Sequence, residues 1–213
     1  MLSLTSKLPN VFIISGHELK VNLAFDNVLK FYELMESNDF SENEKLLLSF
    51  NIIFPEAEEV ELDSYERLEA IQKVIAYINH NPYENISEES ESMNNDELEG
   101  DEEEQTAASF SFIKDAALIY VSFMRDYKID LIEQQGSLRW EKFNAMLNYL
   151  SDDTPFKQII AIRNKSLQGL EGTELSDTIE LQDRYSLQTA EERQAQAMAR
   201  MSDSLSFLQG LAK

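Results

Sequence analysis

Apolar and polar positions along the chain change period from segment to segment, and each period predicts an element. Val11-Phe12-Ile13-Ile14, then Ser15-Gly16-His17, then Glu18-Leu19-Lys20-Val21 predict two short strands around a glycine-containing turn. A lone hairpin is marginal in water, so this one needs a packing partner, and the helices that follow supply it. From about Ala24, Val28, Phe31, Tyr32 and Met35 recur at spacings of three and four, the stripe of an amphipathic helix. Ser41 with Glu44 three residues on is a capping box, in which side chain and backbone satisfy each other's free amides. It opens the run Leu46-Leu47-Leu48-Ser49-Phe50, which Pro55 closes. Tyr65, Leu68, Ile71, Val74, Ile75 and Ile78 predict a third helix that stops before Asn79-His80-Asn81-Pro82.

Helical period returns at Phe110. Ile113, Ala116, Ala117, Tyr120, Phe123, Met124 and Tyr127 share one broad face of a helix ending near Tyr127. Trp140, Phe143, Leu147 and Leu150 define a second helix after Ser137. Thr154-Pro155 signals a third, with an N-cap followed by proline at the first helical position, and Phe156, Ile159, Ile160 and Arg163 continue it. Gly169 and Gly172 interrupt the pattern. Near the C-terminus Met198, Met201, Leu205, Leu208 and Ala212 keep a 3-4-3-4 spacing. That is an apolar seam of about two heptads, suited to a partner's groove or to pairing in an oligomer.

Composition adds the piece that periodicity lacks. Glu84 to Glu104 holds eleven Asp and Glu and no Lys or Arg, so −11 of the chain's net −22 falls in this one stretch. Such a run repels itself and has too little apolar area to offset the entropy of ordering, which predicts a disordered linker. The expected fold is therefore mainly α. A short N-terminal β-hairpin and helices occupy 1–83, the acidic disordered linker 84–108, a helical bundle 109–170, and a C-terminal helical extension 171–213 that ends in an amphipathic helix.

Charge also narrows the partners. With 40 acidic against 18 basic residues and no Lys/Arg cluster, the chain is unsuited to phosphate backbones and to anionic membranes. There is no cysteine, hence no disulfide, thiolate metal site or thiol nucleophile. The apolar run after Lys7 is too short for a secretory signal, and no apolar run approaches the roughly 20 residues of a membrane-spanning helix. The cytoplasm is the expected location.

Candidate chemistry changes this picture little. His17 sits in a predicted turn and His80 in a loop, and neither has the spacing of a metal site. Glycine-rich phosphate loops, nucleophile elbows and EF-hand loops are missing from the sequence, so no metal or cofactor is expected and the chain is not read as an enzyme. Asp152 and Asp153 precede a helix start, where the helix dipole accounts for them. Trp140, on an apolar helical face, is expected in the core. Arg163, at a helix C-terminus, is the cation of most interest, either compensating the dipole or forming an ion pair that fixes the helix or meets a partner.

The succession from Phe112 onward resembles a known family. Asp115-Ala116-Ala117-Leu118-Ile119-Tyr120-Val121-Ser122-Phe123, Tyr127-Lys128-Ile129-Asp130-Leu131, Leu138-Arg139-Trp140-Glu141-Lys142-Phe143 and Thr154-Pro155-Phe156-Lys157-Gln158-Ile159 with Ile162-Arg163 match four motifs in order. These are the motifs of a small siphophage protein family of Gram-positive hosts, encoded between the major tail protein and the tape measure protein. Lys128 stands where that family commonly has glycine, and Glu141 where it commonly has a second tryptophan. The resemblance implies a non-catalytic tail assembly chaperone that acts in the host cytoplasm. Its partner would be the tape measure protein, with self-association and tail tube protein as further partners. Partner contacts are expected at Met198, Met201, Leu205 and Leu208, at any uncovered part of the Trp140 and Phe143 face, and at Arg163. Competing expectations are a structural tail or head-tail component retained in the virion, and an acidic mimic that inhibits a nucleic-acid-binding protein.

Overall fold

The computed structural model describes residues 4–57, 60–80 and 109–188. Within them an antiparallel hairpin is followed by seven helices, the mainly helical architecture that the patterning predicts. The acidic stretch and the Met198 to Leu208 seam lie outside the described residues.

Strands β1 (Val11–Ile14) and β2 (His17–Lys20) pair with Val11 opposite Lys20 and Ile14 opposite His17. Ser15 and Gly16 form the two-residue turn with φ of 48° and 89°, the left-handed pair whose twist matches that of the flanking strands. Ile14 and Leu19 are buried, and the ring of Phe12 meets Tyr77 edge-on at 5.6 Å. The hairpin thus packs on a helix, as an isolated pair of strands must.

Helix α1 (Phe25–Glu36) buries Phe25, Val28, Phe31 and Leu34, leaving Met35 at its outer edge. Helix α2 (Glu42–Ile53) opens with the expected capping box: the Ser41 amide donates to the Glu44 carboxylate at 2.9 Å while Ser41 Oγ accepts from the Glu44 amide. Its orientation is less ordinary, because Lys45 and Ser49 face inward while Leu47 and Leu48 are exposed. Lys45 Nζ donates to the Met35 carbonyl at 3.0 Å, supplying a cation to the last turn of α1, which has none of its own. Helix α3 (Ser64–Ile78) starts with a second capping box, Asp63 with Glu66, and buries Ala70, Ile71, Val74 and Ile78. Tyr65 and Leu68, part of the apolar stripe read from spacing, are exposed instead.

Helix α4 (Ala116–Tyr127) begins later than its apolar pattern suggests. The Ser111 amide donates to the Asp115 carboxylate at 3.0 Å and the Lys114 amide to Ser111 Oγ at 3.2 Å, which ties residues 111–115 into a turn. Ile113, Ala116 and Ala117 are therefore exposed, and Asp115, Ile119, Ser122 and Phe123 form the buried stripe. Lys128 follows the helix at φ 57°, left-handed backbone that strains a side-chain-bearing residue. Its Nζ donates to the Arg125 carbonyl at 2.7 Å. Lys128→Gly should relieve the strain and raise stability by about 1 kcal/mol, measurable as a higher urea midpoint with unchanged slope.

Helices α5 (Trp140–Asn148), α6 (Pro155–Arg163) and α7 (Gly172–Arg184) complete the described chain. Thr154 is the N-cap residue of α6 with proline at N1, but its Oγ1 donates to the Ser151 carbonyl at 2.7 Å and makes no cap bond. The Gln182 amide of α7 donates to the carbonyls of Ile162 and Lys165 and so covers the end of α6.

The chain forms two compact units, the first drawing on Met1–Gln105 with Tyr120–Leu150, the second on Thr106–Ile119 with Ser151–Lys213. This grouping differs from the segments read off composition. Residues 120–150 join the N-terminal elements because the strap before α1 pairs with the entry to α5: Phe25 N donates to Leu138 O and Trp140 N to Leu23 O.

Candidate functional site

Of the residues expected to meet a partner, Trp140, Phe143 and Arg163 lie among the described residues. Trp140 and Phe143 sit in the core of the first unit at 4% and 1% exposure. Phe143 is the centre slab of a stack, with Phe25 of α1 at 4.8 Å on one side and Phe123 of α4 at 5.2 Å on the other, planes 17° and 15° off parallel. Trp140 lies 5.7 Å from Phe143, and its indole nitrogen donates to the Ile78 carbonyl. No part of this face is left uncovered, so a partner contact through either ring requires the unit to open.

Arg163 belongs to the second unit and forms its polar centre. Both guanidinium termini reach the Asp115 carboxylate at 2.7 Å, Nη1 also donates to Ser109 O, and Nε donates to Tyr185 O at 2.6 Å. One side chain thus joins the turn before α4, the end of α6 and the end of α7. Burial pushes the Asp115 carboxyl up, but hydrogen bonds from Arg163 and the Ser111 amide, with the Arg163 and Lys114 charges, hold it below the usual carboxylate range. A carboxylate so held has no proton to give near neutral pH, and both oxygens are engaged. Of the roles read from sequence for Arg163, the ion pair that fixes a helix is the one its geometry performs.

A second buried cluster escaped the sequence reading. Glu141, the residue standing where a tryptophan is common, is buried beside Arg139, which grips both its oxygens at 2.6 and 3.0 Å. Tyr77 Oη donates to the same carboxylate at 2.8 Å, and Arg139 also donates to Asn10 Oδ1. Burial, then the hydrogen bond to Glu141, pushes the Tyr77 hydroxyl far above its ordinary range, while Glu141, despite burial, is held low by the donors around it. Because the folded Tyr77 keeps its proton more tightly than the unfolded one, its contribution is complete below pH 10 and fades only as pH rises beyond. Tyr77→Phe should remove about 1–2 kcal/mol at pH 7 and flatten the alkaline limb of a stability profile above pH 10. The signal available in the sequence was Glu141 directly beside Trp140, at a position where a second tryptophan is common.

A shallow cleft in the first unit is bounded by Asn10, Lys20, Asn22, Pro55, Glu56 and Arg139. Its two cations are already engaged, Lys20 with Glu56 at 2.6 Å and Arg139 with Glu141. Among the described residues no three His, Asp or Glu side chains gather as a metal site would require, and no helix is long and apolar enough to cross a membrane. His17 begins β2 and His80 follows α3, both exposed. Asp152 and Asp153 are exposed just before α6. The charged clusters in both units are built to hold segments together.

A family model described as "Bacteriophage Gp15 protein" matches residues 4–187. That span includes all four motifs between Asp115 and Arg163 and ends just before the C-terminal seam. No curated protein and no solved structure matches the chain.

Proposed function

From the premise that the chain belongs to the bacteriophage Gp15 protein family, matched over residues 4–187, we propose that it is a non-catalytic tail assembly chaperone. It binds the tape measure protein in the host cytoplasm and keeps it dispersed until tail tube subunits enclose it. The observation that carries this reading is the family match over the ordered motif block, which ties the resemblance to a bacteriophage protein.

Physical chemistry supports the role. A long helical protein destined for a tube lumen exposes apolar faces before it is enclosed, and apolar faces associate unless covered. A covering partner needs apolar helix surface of its own and a strongly charged exterior of one sign, and this chain carries net −22. Both buried ionic clusters are spent on structure, which favours a binding role over a catalytic one.

The test compares infected cells with purified virions by mass spectrometry, together with affinity capture of the chain from the lysate. The chaperone reading expects tape measure protein in the capture and the chain absent from virions. A chain retained stoichiometrically in virions supports a structural tail component instead.

A further inference from the structure

From Leu46 to Ile53 helix α2 carries apolar residues on its outer side as well as its inner one. Phe50 and Ile53 are buried, as an amphipathic helix requires, yet Leu47 is 44% and Leu48 37% exposed, with Leu46 and Ile52 half-buried. Lys45 and Ser49 take inward positions that two leucines would fill with more gain. Leu47 and Leu48 thus form an apolar patch on the outer side of α2, bordered by the exposed Glu44 and Asn51.

The charge around it says what kind of partner fits. Residues 31–66 contain eleven acids (Glu33, Glu36, Asp39, Glu42, Glu44, Glu56, Glu58, Glu59, Glu61, Asp63, Glu66) and a single cation, Lys45. Lys45 is buried against α1, so it presents little charge outward. This stretch holds −10 and residues 84–104 hold −11, leaving −1 for all the rest of the chain. Leucines are thus displayed on a segment that is almost purely anionic.

We propose that the outer face of α2, centred on Leu47 and Leu48, is the docking surface for an amphipathic partner helix whose apolar stripe is flanked by Lys and Arg. The proposal rests on the chaperone reading for the partner's biological identity and adds the surface and the chemistry it selects. A second copy of this chain is the poorer occupant. A two-fold contact would bring together two molecules of net −22, and with the helices parallel it would also set Glu42 and Glu44 against the same acids of the other copy. A cation-flanked helix gains at both the leucines and the rim.

The probe is a synthetic helix of about 20 residues with leucine at the a and d positions and lysine elsewhere, compared with a twin carrying glutamate in place of lysine. Both are titrated against the full-length chain and its L47E/L48E variant. The wild type should bind the lysine peptide and not the glutamate one, and the variant should bind the lysine peptide about tenfold more weakly or worse. The substitutions add negative charge, so general attraction to cations would strengthen binding, and only loss of the apolar face weakens it. On the unaltered chain, Leu47 and Leu48 methyl signals should shift on titration, a readout independent of the variant's folding. Equal or tighter binding by the variant overturns the proposal, as do leucine methyl signals that stay put. A wild-type dimer abolished by L47E/L48E also overturns it, in favour of a second copy as occupant. None of these results bears on capture of tape measure protein from infected cells, so the two readings fail separately.

Discussion

Replacing Arg163 with alanine is expected to destabilise the second unit by about 3–5 kcal/mol, the usual cost of stripping one partner from a buried ion pair. The Asp115 side chain is 3% exposed and that of Arg163 12%, so the pair is largely shielded from water. The carbonyls of Ser109 and Tyr185 lose the Arg163 bond at once, and the Asp115 carboxylate keeps the Ser111 amide but loses both guanidinium bonds. Asp115→Asn should cost less than Arg163→Ala, since asparagine keeps one acceptor for the guanidinium. The double change D115L/R163M should recover much of the loss, because it leaves no uncompensated buried charge. Chemical denaturation of the three variants measures all of this.

The same pair sets an acid dependence. Asp115 titrates lower in the folded chain than in the unfolded one, so its contribution is complete above the ordinary aspartate pKa of about 4 and is lost as pH falls through the lower folded value. The wild type should therefore lose stability below pH 4 more steeply than Asp115→Asn.

Phe143→Ala should cost the first unit a similar amount, about 3–5 kcal/mol, by opening a cavity between the rings of Phe25 and Phe123. The stack Phe25–Phe143–Phe123 joins α1, α5 and α4 and is the aromatic centre of that unit. Its loss should be felt more than a hundred residues away in sequence. Hydrogen exchange should quicken in the hairpin and α1 as much as in residues 120–150, and Trp140 emission should report one cooperative transition at a lower midpoint. Phe143→Leu, which keeps most of the volume, should cost under about 1.5 kcal/mol.

Local features of this fold were readable from the chain. The Ser15-Gly16 turn, the Ser41 capping box, the break at Pro55 and the Thr154-Pro155 start each depend on residues within a few positions of one another. What escaped depends on distance in sequence. Arg163 was marked, but its partner Asp115 lies 48 positions away, and Tyr77 lies 64 from Glu141. Nothing local announces either pairing. Periodicity showed that Trp140 and Phe143 share an apolar face; it did not show that α1 and α4 cover it. The orientation of α2 was illegible for another reason: Leu46, Leu47 and Leu48 follow one another and mark no single stripe, and Lys45, which reaches the end of α1, lies on the inward side. The Met198 to Leu208 seam lies outside the described residues and rests on its sequence pattern.

The central claim is that this chain holds tape measure protein in solution. Its most direct measurement is the soluble fraction of tape measure protein expressed with and without the chain, followed by size-exclusion chromatography of the soluble material. The account predicts that tape measure protein is largely insoluble alone, becomes soluble when co-expressed, and elutes in one peak with the chain. Unchanged solubility with the two proteins eluting apart would contradict it.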